Sequence, residues 1–182
     1  TNEFSREAQN NAAAIDKERY SLLSAEQATT LPAGLWDINQ AFCAADWLAI
    51  HYQKKVVKTL QGGHVAAFLT AVGYLTYTDL LSTPLMIGGI ISLMLFAVVN
   101  NALAVRGSWQ RKYLDYRTLA EGLRVQFYWA AAGVTSGSVS KYAHDNFLQM
   151  QDTELGWIRN VMRVAGMECD VAPNLDPQGV QF

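Results

Sequence analysis

KTLQGGHVAAFLTAVGYLTYTDLLSTPLMIGGIISLMLFAVVNNALAVR, residues 58–106, carries one charged side chain, Asp79, between its terminal Lys58 and Arg106. A helix needs roughly 20 apolar residues to cross the hydrocarbon core of a bilayer. Two such spans and a tight turn fill this stretch with little left over. Residues 60–105 therefore read as a transmembrane helical hairpin, with spans over about 60–80 and 84–105. Thr83 and Pro84 mark the turn between them. The threonine hydroxyl suits an N-cap, and a proline at the first helical position loses nothing by lacking its N–H. Tyr74 and Tyr77 fall near the outer end of the first span, where amphipathic rings prefer the headgroup level. Two pairs of small residues, Ala67/Ala71 and Gly88/Ser92, allow close approach of helix backbones in lipid.

The flanks set the orientation. Lys54, Lys55 and Lys58 precede the first span, Arg106, Arg111 and Lys112 follow the second, and the turn has no Lys or Arg. The positive-inside bias then places both termini in the cytoplasm and a short Asp79-bearing loop outside.

Over all 182 residues the mean hydropathy is close to zero, which hides a sharp division. All but one of the 14 basic and 16 acidic side chains lie outside residues 59–105. A net charge of −2 gives no basic field of the kind nucleic-acid binding needs. Cys43 and Cys169 stand alone, in neither metal-ligand nor disulfide spacing, which fits a reducing compartment. Residues 1–30 contain no apolar run that a cleavable signal peptide would need. The start at Thr1 rather than Met is expected of a chain trimmed from a longer protein.

Residues 1–34 are polar and alanine-rich, and read as a weak amphipathic helix or a linker, punctuated by Pro32-Ala33-Gly34. A helix over 35–59 is clearer: Leu35, Ile38, Phe42, Ala45, Ala49, Tyr52 and Val56 recur at three- and four-residue steps. Such a face suits a core within the monomer or a seam against a partner helix. Helical spacing continues through Trp109, Tyr113, Tyr116, Leu119, Ala120, Leu123, Phe127 and Ala130. One long rod over 106–132 is thus expected to emerge unbroken from the second span, ending at the glycine- and serine-rich residues 133–138. A last helix over 140–166 offers Phe147, Met150, Trp157, Val161 and Val164 to pack back on the rod. Residues 169–182 read as an irregular tail. The expected fold is all-α: a two-helix transmembrane hairpin with a cytosolic helical bundle formed by the flanking helices, the whole module covering 35–168.

Few residues point to chemistry. Residues 133–141 resemble a phosphate loop only superficially, since the Gly-Lys-Ser/Thr ending and a preceding strand are missing. Ser138 and Lys141 match S-x-x-K without the companion elements of penicillin-recognising enzymes. His51, His64 and His144 share no metal spacing. No enzyme, cofactor or metal site is expected. Asp79 is either a solvated turn residue or, in an assembly, part of an acidic ring at a pore mouth. Asn100 and Asn101 are amides in an apolar span and need partners, as helix-packing glue or as pore lining. The densest polar cluster runs from Asp115 to Arg124. Its Arg117 and Glu121 are four apart on one helix, where ion pairing contributes a few tenths of a kcal/mol.

Residues 113–129, YLDYRTLAEGLRVQFYW, directly follow the hairpin. With Glu154-Leu-Gly-Trp-Ile-Arg159, Arg163, and upstream Ala44-Ala-Asp-Trp-Leu-Ala49 and His51-Tyr-Gln-Lys54, they resemble the SLATT-type (SMODS and SLOG-associating) two-transmembrane effector family. The resemblance covers roughly residues 36–165. Its core is Tyr116, Arg117, Ala120, Glu121, Leu123 and Arg124. It implies a membrane effector of bacterial nucleotide-signalled antiphage defence, seated in the inner membrane and oligomerising to form a pore or disrupt the bilayer. An upstream or separate nucleotide sensor would be its partner, and Tyr116, Arg117, Glu121 and Arg124 would be a cytosolic assembly motif. The alternative reading is a non-conducting anchor or scaffold for a cytosolic signalling partner.

Overall fold

A computed structural model describes residues 2–18, 20–22, 33–79, 83–132 and 156–166, and every regular element among them is an α-helix. In chain order these are α1 (Asn2–Asn10), α2 (Ala12–Glu18), α3 (Ala33–Asp79), α4 (Pro84–Arg106), α5 (Trp109–Ala131) and α6 (Gly156–Gly166). The chain divides into two compact units: Thr1–Ala49 with Leu114–Phe182, and Ile50–Tyr113. The segment read as a helix over 35–59 and the one read as a span over 60–80 belong to a single helix, α3. With no proline between Ala33 and Asp79, the backbone continues as one helix through both segments.

The first unit is a helical bundle. Its core takes Leu35, Ile38, Phe42, Ala45 and Leu48 from α3, and Tyr116, Leu119, Ala120, Leu123 and Phe127 from α5. From α6 come Ile158, Val161 and Ala165. The expected faces of α3 and α5 are thus buried as their periodicity demands, with Tyr52, Val56, Trp109, Tyr113 and Ala130 only half-buried. On α6 the expected face shifts. Val164 is exposed, and Ile158 and Ala165 are buried instead; residues 140–155 lie outside the described residues.

Residues 2–18 are helical rather than a linker. Asn11 joins α1 to α2, its amide donating to the Glu7 carbonyl at 2.8 Å while its own carbonyl accepts from Ile15 N–H at 2.9 Å. Phe4 and Ile15 are the apolar residues these two helices bury. Beyond α2, buried Asn39 holds the chain: its Oδ1 accepts from Leu22 N–H at 3.0 Å and its Nδ2 donates to Ser21 Oγ at 3.1 Å. Trp47 Nε1 donates to Glu18 at 3.3 Å.

The second unit is an antiparallel pair, the later part of α3 against α4. Asn100 Nδ2 donates to the Thr59 carbonyl at 3.0 Å, and a Cβ on Gly73 would sit 3.3 Å from Ile90 Cγ1. On α4 the half-buried positions Met86, Ile90, Leu93, Ala97, Asn100 and Ala104 alternate by four and three, as a two-helix seam requires. The facing side of α3 is built from small residues, chiefly Gly62, Ala66 and Gly73. Ala67/Ala71 and Gly88/Ser92, the expected close-approach pairs, are all exposed on the outer faces.

Thr83 sits at the N-cap of α4 in extended conformation with Pro84 following, but its hydroxyl makes no capping hydrogen bond; its carbonyl accepts from Met86 N–H at 3.1 Å. The rod expected to run unbroken through residue 106 is interrupted. Gly107 N–H bonds back to Leu103, Ser108 takes a left-handed φ of 49°, and its carbonyl accepts from Lys112 N–H to start α5. A Cβ at Gly107 would meet the Trp109 indole, so a side chain there would require that indole to move. Residues 133–138, where the rod is expected to end, lie outside the described residues, as does the tail over 169–182.

Replacing Asn39 by alanine leaves the Leu22 N–H without its acceptor. It should cost about 1–3 kcal/mol in denaturant unfolding, against less than about 0.5 kcal/mol for exposed Asp37→Ala.

Candidate functional site

Two sets of residues stood out by type: the polar cluster on α5 and the amides and acid of the apolar pair. On α5 a helical repeat puts Tyr116, Leu119, Ala120, Leu123 and Phe127 inward, which leaves Arg117, Glu121 and Arg124 along the rim. Tyr116 joins several helices. Its ring meets Phe4 of α1 at 6.0 Å and stands edge-on to Trp157 of α6 at 6.0 Å and 79°, while Phe4 and Trp157 lie 6.2 Å apart. Such tilted and edge-on arrangements suit the ring quadrupoles. The buried hydroxyl donates to Glu7 Oε2 at 3.0 Å. Three helices far apart in sequence therefore converge on one tyrosine.

The charged members form a chain. Arg117 Nη2 pairs with Glu121 Oε1 at 2.7 Å, Glu121 also pairs with Arg124, and Arg117 Nη1 reaches Asp46 Oδ1 on α3 at 3.4 Å. Arg117 is 48% exposed and Glu121 38%, so solvent screens these contacts, and each is worth about 0–1 kcal/mol. Asp46 is different, with only 15% of its side chain exposed. Burial holds its carboxyl above the ordinary value of 3.8, opposed by the Arg117 guanidinium, reinforced by the Glu121 charge and opposed again by Arg124. Desolvation outweighs the single ion pair.

The amides separate. Asn100 is spent inside the helix pair on the Thr59 carbonyl, the partner a packing amide needs. Asn101, one residue on, is exposed on the outer side of α4. Asp79 is exposed at the end of α3. His64 Nδ1 lies 2.7 Å from the Leu60 carbonyl and His51 packs edge-on to Tyr52, while His144 lies outside the described residues. Among the described residues no three His, Cys, Asp or Glu side chains gather as a metal site requires.

Glu7, Asp46 and Phe4 join the Tyr116 cluster without having been singled out as partners of it, whereas Trp157 packs on the rod as its spacing leads one to expect. Asp46 carries a signal in hindsight, a lone carboxylate beside the apolar positions Ala45 and Ala49. Glu7 and Phe4 carry none, because a short polar helix gives no clue to the surface it lies on.

Tyr116→Phe removes a hydrogen bond to a charged acceptor and should cost about 1.5–3 kcal/mol of unfolding free energy. Arg117→Ala should cost less than about 1 kcal/mol. A raised folded-state pKa means that the folded chain holds the Asp46 proton more tightly than the unfolded one. Stability contributed by this group is therefore present below 3.8 and is lost as pH rises from there through the raised value. Asp46→Asn should flatten that part of the stability–pH curve, measured by denaturant unfolding at a series of pH values.

Set against known family models, curated proteins and solved structures, the chain matches none.

Proposed function

We propose that the chain is an oligomeric membrane effector in which the helix pair of residues 60–105 spans the bacterial inner membrane with both termini cytoplasmic. Assembly of several copies through the cytosolic helices then forms a pore or disrupts the bilayer. The observation that carries this reading is the outer surface of the pair. α4 is long and apolar enough to cross a membrane, and it buries no residue. Its 23 residues reach about 34 Å, against about 30 Å of hydrocarbon. Val65, Phe68, Val72 and Leu75 on α3 and Ile91, Leu95, Phe96 and Val99 on α4 are all exposed. A continuous apolar surface of this kind is not left facing water.

α3 does not by itself reach the apolarity of a span among the described residues, diluted between residues 60 and 79 by Gln61, His64, three threonines and two tyrosines. What supports its place in lipid is how those polar groups are used. Thr59, Thr70 and Thr76 each donate to the carbonyl four residues back, Thr78 to that three back, and His64 approaches the Leu60 carbonyl. Polar groups satisfied inside their own helix are tolerated in hydrocarbon. The role in nucleotide-signalled defence, with an upstream or separate sensor as partner, is supported by the Tyr116–Arg124 resemblance.

A non-conducting anchor or scaffold is the second reading, favoured by Asn100, whose amide is engaged within one copy rather than turned to a lumen. Dye release from liposomes carrying the assembled chain separates the two. The effector reading predicts release by the wild type, and a drop of about tenfold in Asn101→Leu, the change expected from losing one interhelical amide bond. An assembled chain that releases no dye leaves the anchor.

A further inference from the structure

Gln61 on α3 and Asn101 on α4 are carboxamides exposed amid apolar side chains, and neither makes a hydrogen bond among the described residues. On the spanning reading both lie in hydrocarbon, roughly one helical turn inside Lys58 and Arg106. An amide left unpaired there is costly. The two share a depth. Asn100 Nδ2 bonds to the Thr59 carbonyl at 3.0 Å and would lie 3.4 Å from a Cβ on Gly62, so Gln61 and Asn101, beside these contacts, are level. They do not face each other within one copy. At about 100° per residue, Asn101 is turned to one flank of the antiparallel pair and Gln61 to the other.

Apolar neighbours follow the same two flanks. From Gln61, steps of four, three and four residues reach Val65, Phe68 and Val72; from Asn101, steps back of three, four and three reach Val98, Met94 and Ile91. All six are exposed. Laid antiparallel with Gln61 opposite Asn101, the two stripes stay in register, Val65 beside Val98, Phe68 beside Met94 and Val72 beside Ile91.

We propose that α4 of one copy packs in the bilayer against α3 of a second copy, joined by hydrogen bonds between the Asn101 and Gln61 carboxamides. Each carboxamide both donates and accepts, so each satisfies the other. The occupant is a second copy because every copy inserts with one topology, which keeps α4 antiparallel to a neighbour's α3 and brings the two amides to the same depth. The contact joins opposite flanks, so it repeats head to tail and can close into a ring, whereas a flank meeting itself stops at two copies. The inference rests on the spanning effector reading and names the contact by which its copies meet within the bilayer.

Disulfide cross-linking of the full chain in liposomes, with Cys43 and Cys169 replaced by alanine, tests it. A mixture of Gln61→Cys and Asn101→Cys chains should give a cross-linked dimer, and the chain carrying both substitutions a ladder of higher multimers. Asn101→Cys alone should give much less. Equal dimer from Asn101→Cys alone would make the contact two-fold and overturn the head-to-tail pairing. Dye release gives a second readout. Gln61→Leu should lower it about tenfold, as one lost interhelical amide bond does, and Gln61→Leu with Asn101→Leu should lower it no further than either alone. Losses that multiply in the double variant would show that the two amides act separately and overturn the pairing. Both substitutions are apolar and leave the stripes intact, and circular dichroism checks helical content. The two levels of the account fail differently. Dye release without any Gln61–Asn101 cross-link overturns this interface and leaves the effector reading, whereas release of the wild type from membranes by carbonate sinks the spanning reading itself.

Discussion

Because the pair's outer surface is apolar, a polar side chain between Thr59 and Val105 is stabilised only where it finds a partner or sits at the pair's ends. The threonines of α3 turn their hydroxyls onto their own backbone, and Asn100 gives its amide to the Thr59 carbonyl. Small residues make the second arrangement possible. Gly62 and Gly73 cost roughly 1 kcal/mol each in helix propensity relative to alanine. In return, α4 comes close enough for its seam to close on α3. Apolar side chains crowd outward as a result. Asn101 is the conspicuous amide left on that surface.

Energetics in the other unit have a different source. Its stability lies in buried apolar faces and in the Phe4–Tyr116–Trp157 junction rather than in the visible chain of charges. A screened Arg117–Glu121 pair contributes at most about 1 kcal/mol, while truncating a buried aromatic of this kind costs about 3–5 kcal/mol. The motif thus divides: Tyr116 holds helices together, and the arginines and Glu121 decorate the rim. Asp46, which burial makes costly to ionise, ties that rim to the core.

Periodicity made the α3 and α5 faces legible, because a helix that buries one stripe must repeat its apolar residues at three- and four-residue steps. Leu35 through Ala49 and Tyr116 through Phe127 are buried accordingly. The same rule said little about α1 and α2, whose few apolar residues make no stripe. It placed Val164 inside because spacing alone cannot set the rotation of a short helix. The break at Gly107–Ser108 was hidden by apolar spacing that continues on both sides of it. Ala67/Ala71 and Gly88/Ser92 had the right spacing for close packing, yet the contact chose Gly62, Ala66 and Gly73, a choice that depends on the facing helix. Of the amides, sequence singled out both, and only geometry separated Asn100 from Asn101.

The claim on which the functional reading turns is that the 60–105 pair crosses the bilayer with its turn outside. Labelling of single cysteines by a membrane-impermeant maleimide in intact cells, in a chain with Cys43 and Cys169 replaced, addresses it directly. Thr83→Cys should be labelled from outside, and Asn2→Cys only after the membrane is permeabilised. Equal labelling of both positions in intact cells, or labelling of Asn2→Cys alone, would contradict the spanning topology.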